Sequence, residues 1–181
     1  MREDDRDPNA TPAGWEVGER REVVGGERLV GRPPSLAHQR VTIELTCQLD
    51  HHLRALRLGR LFAATRLELE AGSIVQPDLM ALLGDDSGRS GRDAVVGPPE
   101  LVTEVLSADS APYDQGPKLR LYDRCGVREY WLVDPLRREI DVWVRLRGGL
   151  ALGSRLRRGE ILRSPLLPGL EISLREVFAG R

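Results

Sequence analysis

Between Ser35 and about Arg57 the apolar residues Val41, Leu45, Leu49, Leu53 and Leu56 recur every three or four positions, which lines one face of an α-helix. Ser35 offers a side-chain oxygen to cap that helix, and Gly59 ends it. Ahead of it, "RREVVGGERLVGRPP" sets two short apolar pieces around Gly25 and Gly26, the pair expected at a tight hairpin turn. Behind it, "RLFAATRLELE", "SIVQPDLMALL" and "PELVTEVLS" are short, β-leaning and bounded by Gly, Pro, Ser or Asp, and so predict three strands. The polar, glycine-rich "GDDSGRSGRDAVVGPP" between the last two predicts a mobile surface loop. Pro117 suits the first turn of a short helix capped by Asp114 or a nearby group and closed by Gly126. Lys118 would stand in that first turn, seldom a core position. "EYWLVDP" and the alternating "EIDVWVRLRGGLALGSRLRRGEILRSP" predict a half-exposed meander. "LPGLEISLREVF" closes as a strand and a docking turn.

The order of helix, three strands, helix and strands predicts an α/β fold with a mixed central sheet, the long helix on one face and the Lys118 helix on the other. Residues 1 to 14, charged and without periodicity, read as a disordered tail, and 15 to 181 as a single domain that begins near Trp15. A chain of 181 residues can bury roughly 70% of its unfolded surface in one domain.

Composition narrows the classes. No apolar run approaches the ~18 residues of a membrane span, and the first residues lack the apolar core of a signal peptide, so a cytoplasmic protein is expected. Cys47 and Cys125 form no CxxC pair, which points to reduced packing residues rather than to a disulfide or zinc site. A net charge of −1 argues against non-specific coating of nucleic acid. The distribution is uneven, however. Eight arginines between Arg137 and Arg163 face only Glu139, Asp141 and Glu160, so one end of the sheet is expected to be basic.

Of the 27 lysine and arginine residues, Lys118 is the only lysine. Coding bias would explain a lone survivor. So would chemistry, because a compact ammonium on a flexible stem does what a guanidinium fork cannot. Asp78 and Glu104 interrupt apolar strand segments, which is costly for a charge that is not paired or metal-bound. Each could point outward from its strand. Together on consecutive strands they could instead meet at one sheet edge, where a lysine from the next helix would complete a site for a hard divalent ion and its water.

The segments "QPD", "PPELVTEVLS", "YDQGPKLRLYDRCGVREYWLVDP" and "LPGLEISLREVF", with "RPPSLAHQR" before the first helix, resemble the Uma-two "putative endonuclease" family, a branch of the PD-(D/E)XK nuclease superfamily. The likeness runs from roughly Glu22 to Phe178. It implies a restriction-endonuclease-like core and a Mg²⁺- or Mn²⁺-dependent DNA endonuclease. Asp78 would be the aspartate of the PD motif and Glu104 the acid of (D/E)XK. The Val105 carbonyl would join them in holding the metal. Leu106 stands where the superfamily usually has lysine, so the catalytic cation passes to Lys118. DNA, gripped by its phosphate backbone, would be the partner, with no membrane, and the reading admits a homodimer.

His38 could reach this site but reads first as a local cap. Glu27 could join the acids, and Asp114 could pair with Lys118 or bind metal. His51 and His52 lack ligand spacing and read as a solvated helix face; Tyr130 and Trp131 read as core, and Asp134-Pro135 as a turn. The rival class is a catalytically silent nuclease-fold module that binds DNA or another partner, and a third is a lysine Schiff-base enzyme.

Overall fold

The computed structural model describes residues 20–31, 33–70, 72–85 and 88–179. The expected tail and the Trp15 start lie outside them. Strands β1 (Arg20–Val24) and β2 (Glu27–Gly31) form the hairpin predicted around Gly25 and Gly26, which take φ of 57° and 88°. Helix α1 (Leu36–Leu56) follows, and the Ser35 side chain accepts the His38 backbone N–H as its cap. Val41, Leu45, Leu49 and Leu53 are buried as the periodicity requires, while Leu56 is exposed.

The three predicted strands are each real but more finely cut. The first piece becomes β3 (Gly59–Ala63) and β4 (Arg66–Glu68), broken at Ala64, whose φ is +47°. The second becomes β5 (Ile74–Val75) and β6 (Leu79–Leu83), separated by Pro77, which has no N–H for a ladder. The expected surface loop carries a strand of its own, β7 (Ala94–Val96), which runs parallel to β4 and buries Val95. The third predicted strand is β8 (Leu101–Val105).

The helix after β8 starts earlier than the position of Pro117 suggested. It runs as α2 (Ala111–Tyr113), a turn of π-helix (Asp114–Lys118) and α3 (Leu119–Cys125), with Gly126 as the αL C-cap. Proline inside a helix removes one backbone hydrogen bond and crowds the preceding turn, and a π-turn absorbs both. Asp114 is therefore inside the helical segment, as the C-cap of α2 and first residue of the π-turn, and is not the N-cap that the sequence suggested. The chain continues as β9 (Glu129–Asp134), β10 (Glu139–Leu146), β11 (Gly149–Arg157), β12 (Ile161–Ser164), β13 (Leu167–Ser173) and α4 (Leu174–Val177).

A mixed six-stranded sheet in the order β11-β10-β9-β8-β6-β3 forms the centre. Strands β8 and β9 are parallel, joined by the helical crossover, and β6 is antiparallel to β8. Alternation divides the core in two. Leu79, Ala81, Leu101, Val105, Trp131 and Val133 face α1, the β12-β13 hairpin and α4. Met80, Leu82, Val102, Tyr130 and Leu132 face α3 and the small sheet β2-β1-β5-β4-β7. The two helices thus lie on opposite faces, as the sequence predicted.

On the α1 face the fully buried Glu129 ties this core to the hairpin: Trp131 Nε1 donates to its Oε1 at 2.6 Å and Ser164 Oγ to its Oε2 at 2.7 Å. Burial pushes its carboxyl above the usual glutamate range, more than the hydrogen bonds from Ser164 and Trp131 pull it down. A raised folded-state pKa means that the native chain holds this proton more tightly than the unfolded one. Its contribution is complete below the ordinary glutamate pKa and is lost as pH rises through the folded value. Urea titrations of the parent and Glu129→Gln should show the stability of the parent, relative to the variant, falling between pH 4.5 and 8. A difference independent of pH would contradict this.

Candidate active site

Asp78 lies one residue before β6. Extending the register of Leu79 with Thr103 outward sets it opposite Glu104. Both side chains turn inward, with relative exposures of 6% for Asp78 and 1% for Glu104, so neither is the outward-pointing surface acid that strand alternation also allowed. Asp78 Oδ2 accepts the Val105 backbone N–H at 2.7 Å and lies 3.1 Å from His38 Nε2. The helix cap assigned to His38 belongs to Ser35; the imidazole instead reaches across to Asp78. With the proton on Nε2 His38 donates to Asp78, and its buried Nδ1 has no hydrogen-bond partner.

Glu104 Oε1 accepts from two buried donors, Lys118 Nζ at 3.1 Å and the Tyr122 hydroxyl at 2.8 Å. Burial first, and the Glu104 charge second, push the Tyr122 phenol well above its ordinary range, so it stays a donor. Lys118 is 1% exposed, which corrects the expectation of a position outside the core. Its ammonium also lies 2.7 Å from Glu22 Oε2, and 3.0 Å from Asp114 Oδ1 in an ion pair that lacks hydrogen-bond alignment. Burial pushes the Asp114 carboxyl above its usual range despite the Lys118 charge that pulls it down.

The sequence therefore named Asp78, Glu104 and Lys118 together, and the fold brings Glu104 and Lys118 into contact, with Asp78 opposite Glu104 just before β6. Glu27 is exposed beside the hairpin turn; the acid that β1 contributes is Glu22. Tyr122 was missed, although Asp114, Lys118 and Tyr122 at four-residue steps share one helix face. Tyr130 is core as expected, its hydroxyl donating to the Asp114 carbonyl at 3.1 Å, and Trp131 is fully buried. Asp134 Oδ1 accepts the Leu136 and Arg137 N–H groups, the turn foreseen at Asp134-Pro135. His51 and His52 line a groove of about 290 Å³ against β13, roughly 20 Å along α1 from His38. Cys47 is exposed rather than packed, and Cys125 is half-buried.

Two arginines of the meander are paired across its strands. Arg155 grips Asp141 through two hydrogen bonds of 2.6 and 2.8 Å, and Arg157 reaches Glu139 at 2.9 Å, so these side chains are already committed across β10 and β11.

Among the described residues no cluster of three or more His, Cys, Asp or Glu side chains is arranged as a ready metal cage. The donor set nevertheless fits Mg²⁺, which takes one or two carboxylates and completes its octahedron with water and substrate phosphate. Three buried acids, Glu22, Glu104 and Asp114, surround one lysine, and the buried Asp78 stands opposite Glu104; surplus buried negative charge is relieved by a divalent cation or by protonation.

The mixed α/β sheet thus sets Asp78, just before β6, opposite Glu104 on β8, with Lys118 on the helical crossover that leads to β9. Residues 15–175 match the family model of Uma2, described as "Putative restriction endonuclease", and the chain belongs to that family. Its fold is shared with a crystal structure titled as a putative nuclease belonging to DUF820 from Anabaena variabilis, at a TM-score of 0.74 and 16% identity, over 88% of this chain and 89% of that one. No curated protein matches the chain. Among the described residues no helix is long and apolar enough to cross a membrane.

Proposed function

We propose that the protein is a divalent-metal-dependent endonuclease that hydrolyses phosphodiester bonds in DNA, with Asp78, Glu104 and Lys118 as its catalytic residues. The observation that carries this reading is the buried pairing of the chain's only lysine with the acid of the (D/E)XK position, beside the PD aspartate. Asp78 and Glu104, with the Val105 carbonyl, would hold Mg²⁺ or Mn²⁺. When bound, such an ion polarises a phosphate and makes its water a stronger nucleophile. The remaining work falls to the protein. The Val105 N–H and His38 fix the Asp78 carboxylate, Tyr122 fixes Glu104, and Lys118 orients the attacking water and offsets the charge that develops on the phosphate. Lys118 makes the contacts of an ammonium among carboxylates, which favours this role over that of a free amine attacking a carbonyl.

Calorimetric titration with Mn²⁺ tests the metal site apart from cleavage. The parent should bind, and Asp78→Ala and Glu104→Ala should each abolish binding. Undiminished binding in both variants would remove these residues from the site.

A further inference from the structure

An ammonium has three N–H donors, and three carboxylates converge on that of Lys118: Glu22 at 2.7 Å, Asp114 at 3.0 Å and Glu104 at 3.1 Å. Their anchoring differs. Asp114 lies four residues before Lys118 on the same helical segment, so it moves with the lysine and cannot fix it against the sheet. Glu104 does fix it to the sheet, but in the reading above Glu104 is also a metal ligand, and a divalent ion would draw its charge away from Lys118. Glu22 comes from a separate element, β1. While its Oε2 faces Lys118, its Oε1 accepts the Gln76 backbone N–H at 2.8 Å, two residues before Asp78. One carboxylate thereby bridges the lysine and the segment that carries the PD aspartate.

We propose that Glu22 is a positioning residue: it holds Lys118 against the Asp78 segment independently of Glu104, so that the lysine keeps its place when Glu104 turns to a metal ion. The inference rests on the nuclease reading for its purpose, but its geometry can be tested without cleavage.

Because Lys118 is the only lysine, ¹⁵N-lysine labelling yields one side-chain ammonium signal. A buried ammonium held by carboxylates exchanges slowly with water and should be visible. Glu104→Gln imitates, without metal, the loss of the Glu104 charge. The signal should survive in Glu104→Gln and be lost by exchange broadening in Glu22→Gln/Glu104→Gln. A double variant whose signal is as sharp as that of Glu104→Gln would overturn the proposal. Should the double variant not fold, Glu22→Gln alone gives the same decision: its signal should be visible without metal and vanish when Mg²⁺ is added, whereas persistence would overturn the proposal. Mn²⁺ affinity should stay within about twofold of the parent in Glu22→Gln; a tenfold loss would make Glu22 a metal ligand instead. Cleavage should lose kcat by tenfold or more with KM for DNA unchanged, and Glu22→Asp should recover part of it; an equal loss in both variants would contradict a positioning role. A parent that binds no Mn²⁺ would sink the nuclease reading while leaving the comparison of the two metal-free variants to decide on Glu22.

Discussion

Lys118→Met should destabilise the protein by about 3–5 kcal/mol, the cost of removing one partner from a buried ion pair, and lower its Tm by roughly 6–20 °C for a chain of this size. The substitution leaves Glu22, Glu104 and Asp114 around an apolar methyl group, each buried to 7% exposure or less. That loss is a large share of the total stability of about 5–15 kcal/mol typical of such proteins. It has a pH signature. Without the ammonium, protonation is what relieves the buried negative charge, so the deficit of the variant against the parent should narrow toward pH 4. Lys118→Arg separates charge from shape. It keeps the cation but forces a larger guanidinium into a fully buried space, and should lose about 1–3 kcal/mol by overpacking. Denaturant titrations of the three proteins at pH 4.5 and pH 8 check both expectations. A methionine variant as stable as the parent at pH 8 would mean that the three acids are not charged in the native state.

This burial is also where the sequence and the fold part company. A lysine four residues after an aspartate, next to proline and glycine, has the local look of an exposed helix start. From outside the crossover Lys118 meets Glu22 on β1, a contact between residues 96 positions apart in the chain that no local pattern carries. The same distance hid Glu22, which no local feature singled out, while Glu27, nearer the turn, was the hairpin acid that the sequence named. Asp78 and Glu104 were legible because a charge inside an apolar strand is conspicuous and because the family motifs mark both positions. Helix α1 was legible throughout, since its apolar stripe and its serine cap agree. The division of two predicted strands into four was not, because it depends on the positive φ of Ala64 and on Pro77 falling at a sheet boundary.

Metal-dependent hydrolysis of DNA is proposed to depend on the Asp78-Glu104 pair. The most direct measurement is cleavage of a panel of supercoiled, linear and branched DNA substrates by the parent and by Asp78→Asn, each with Mg²⁺, with Mn²⁺ and with EDTA. Asparagine keeps the shape of Asp78 and an oxygen to accept the Val105 N–H, and removes only the charge that would hold the ion. The account predicts strand cleavage by the parent with either metal, none with EDTA, and a rate lower by on the order of 10²-fold or more in Asp78→Asn, as expected when a group that stabilises transition-state charge is lost. Cleavage that persists in EDTA, or an asparagine variant that cuts as fast as the parent, would contradict it.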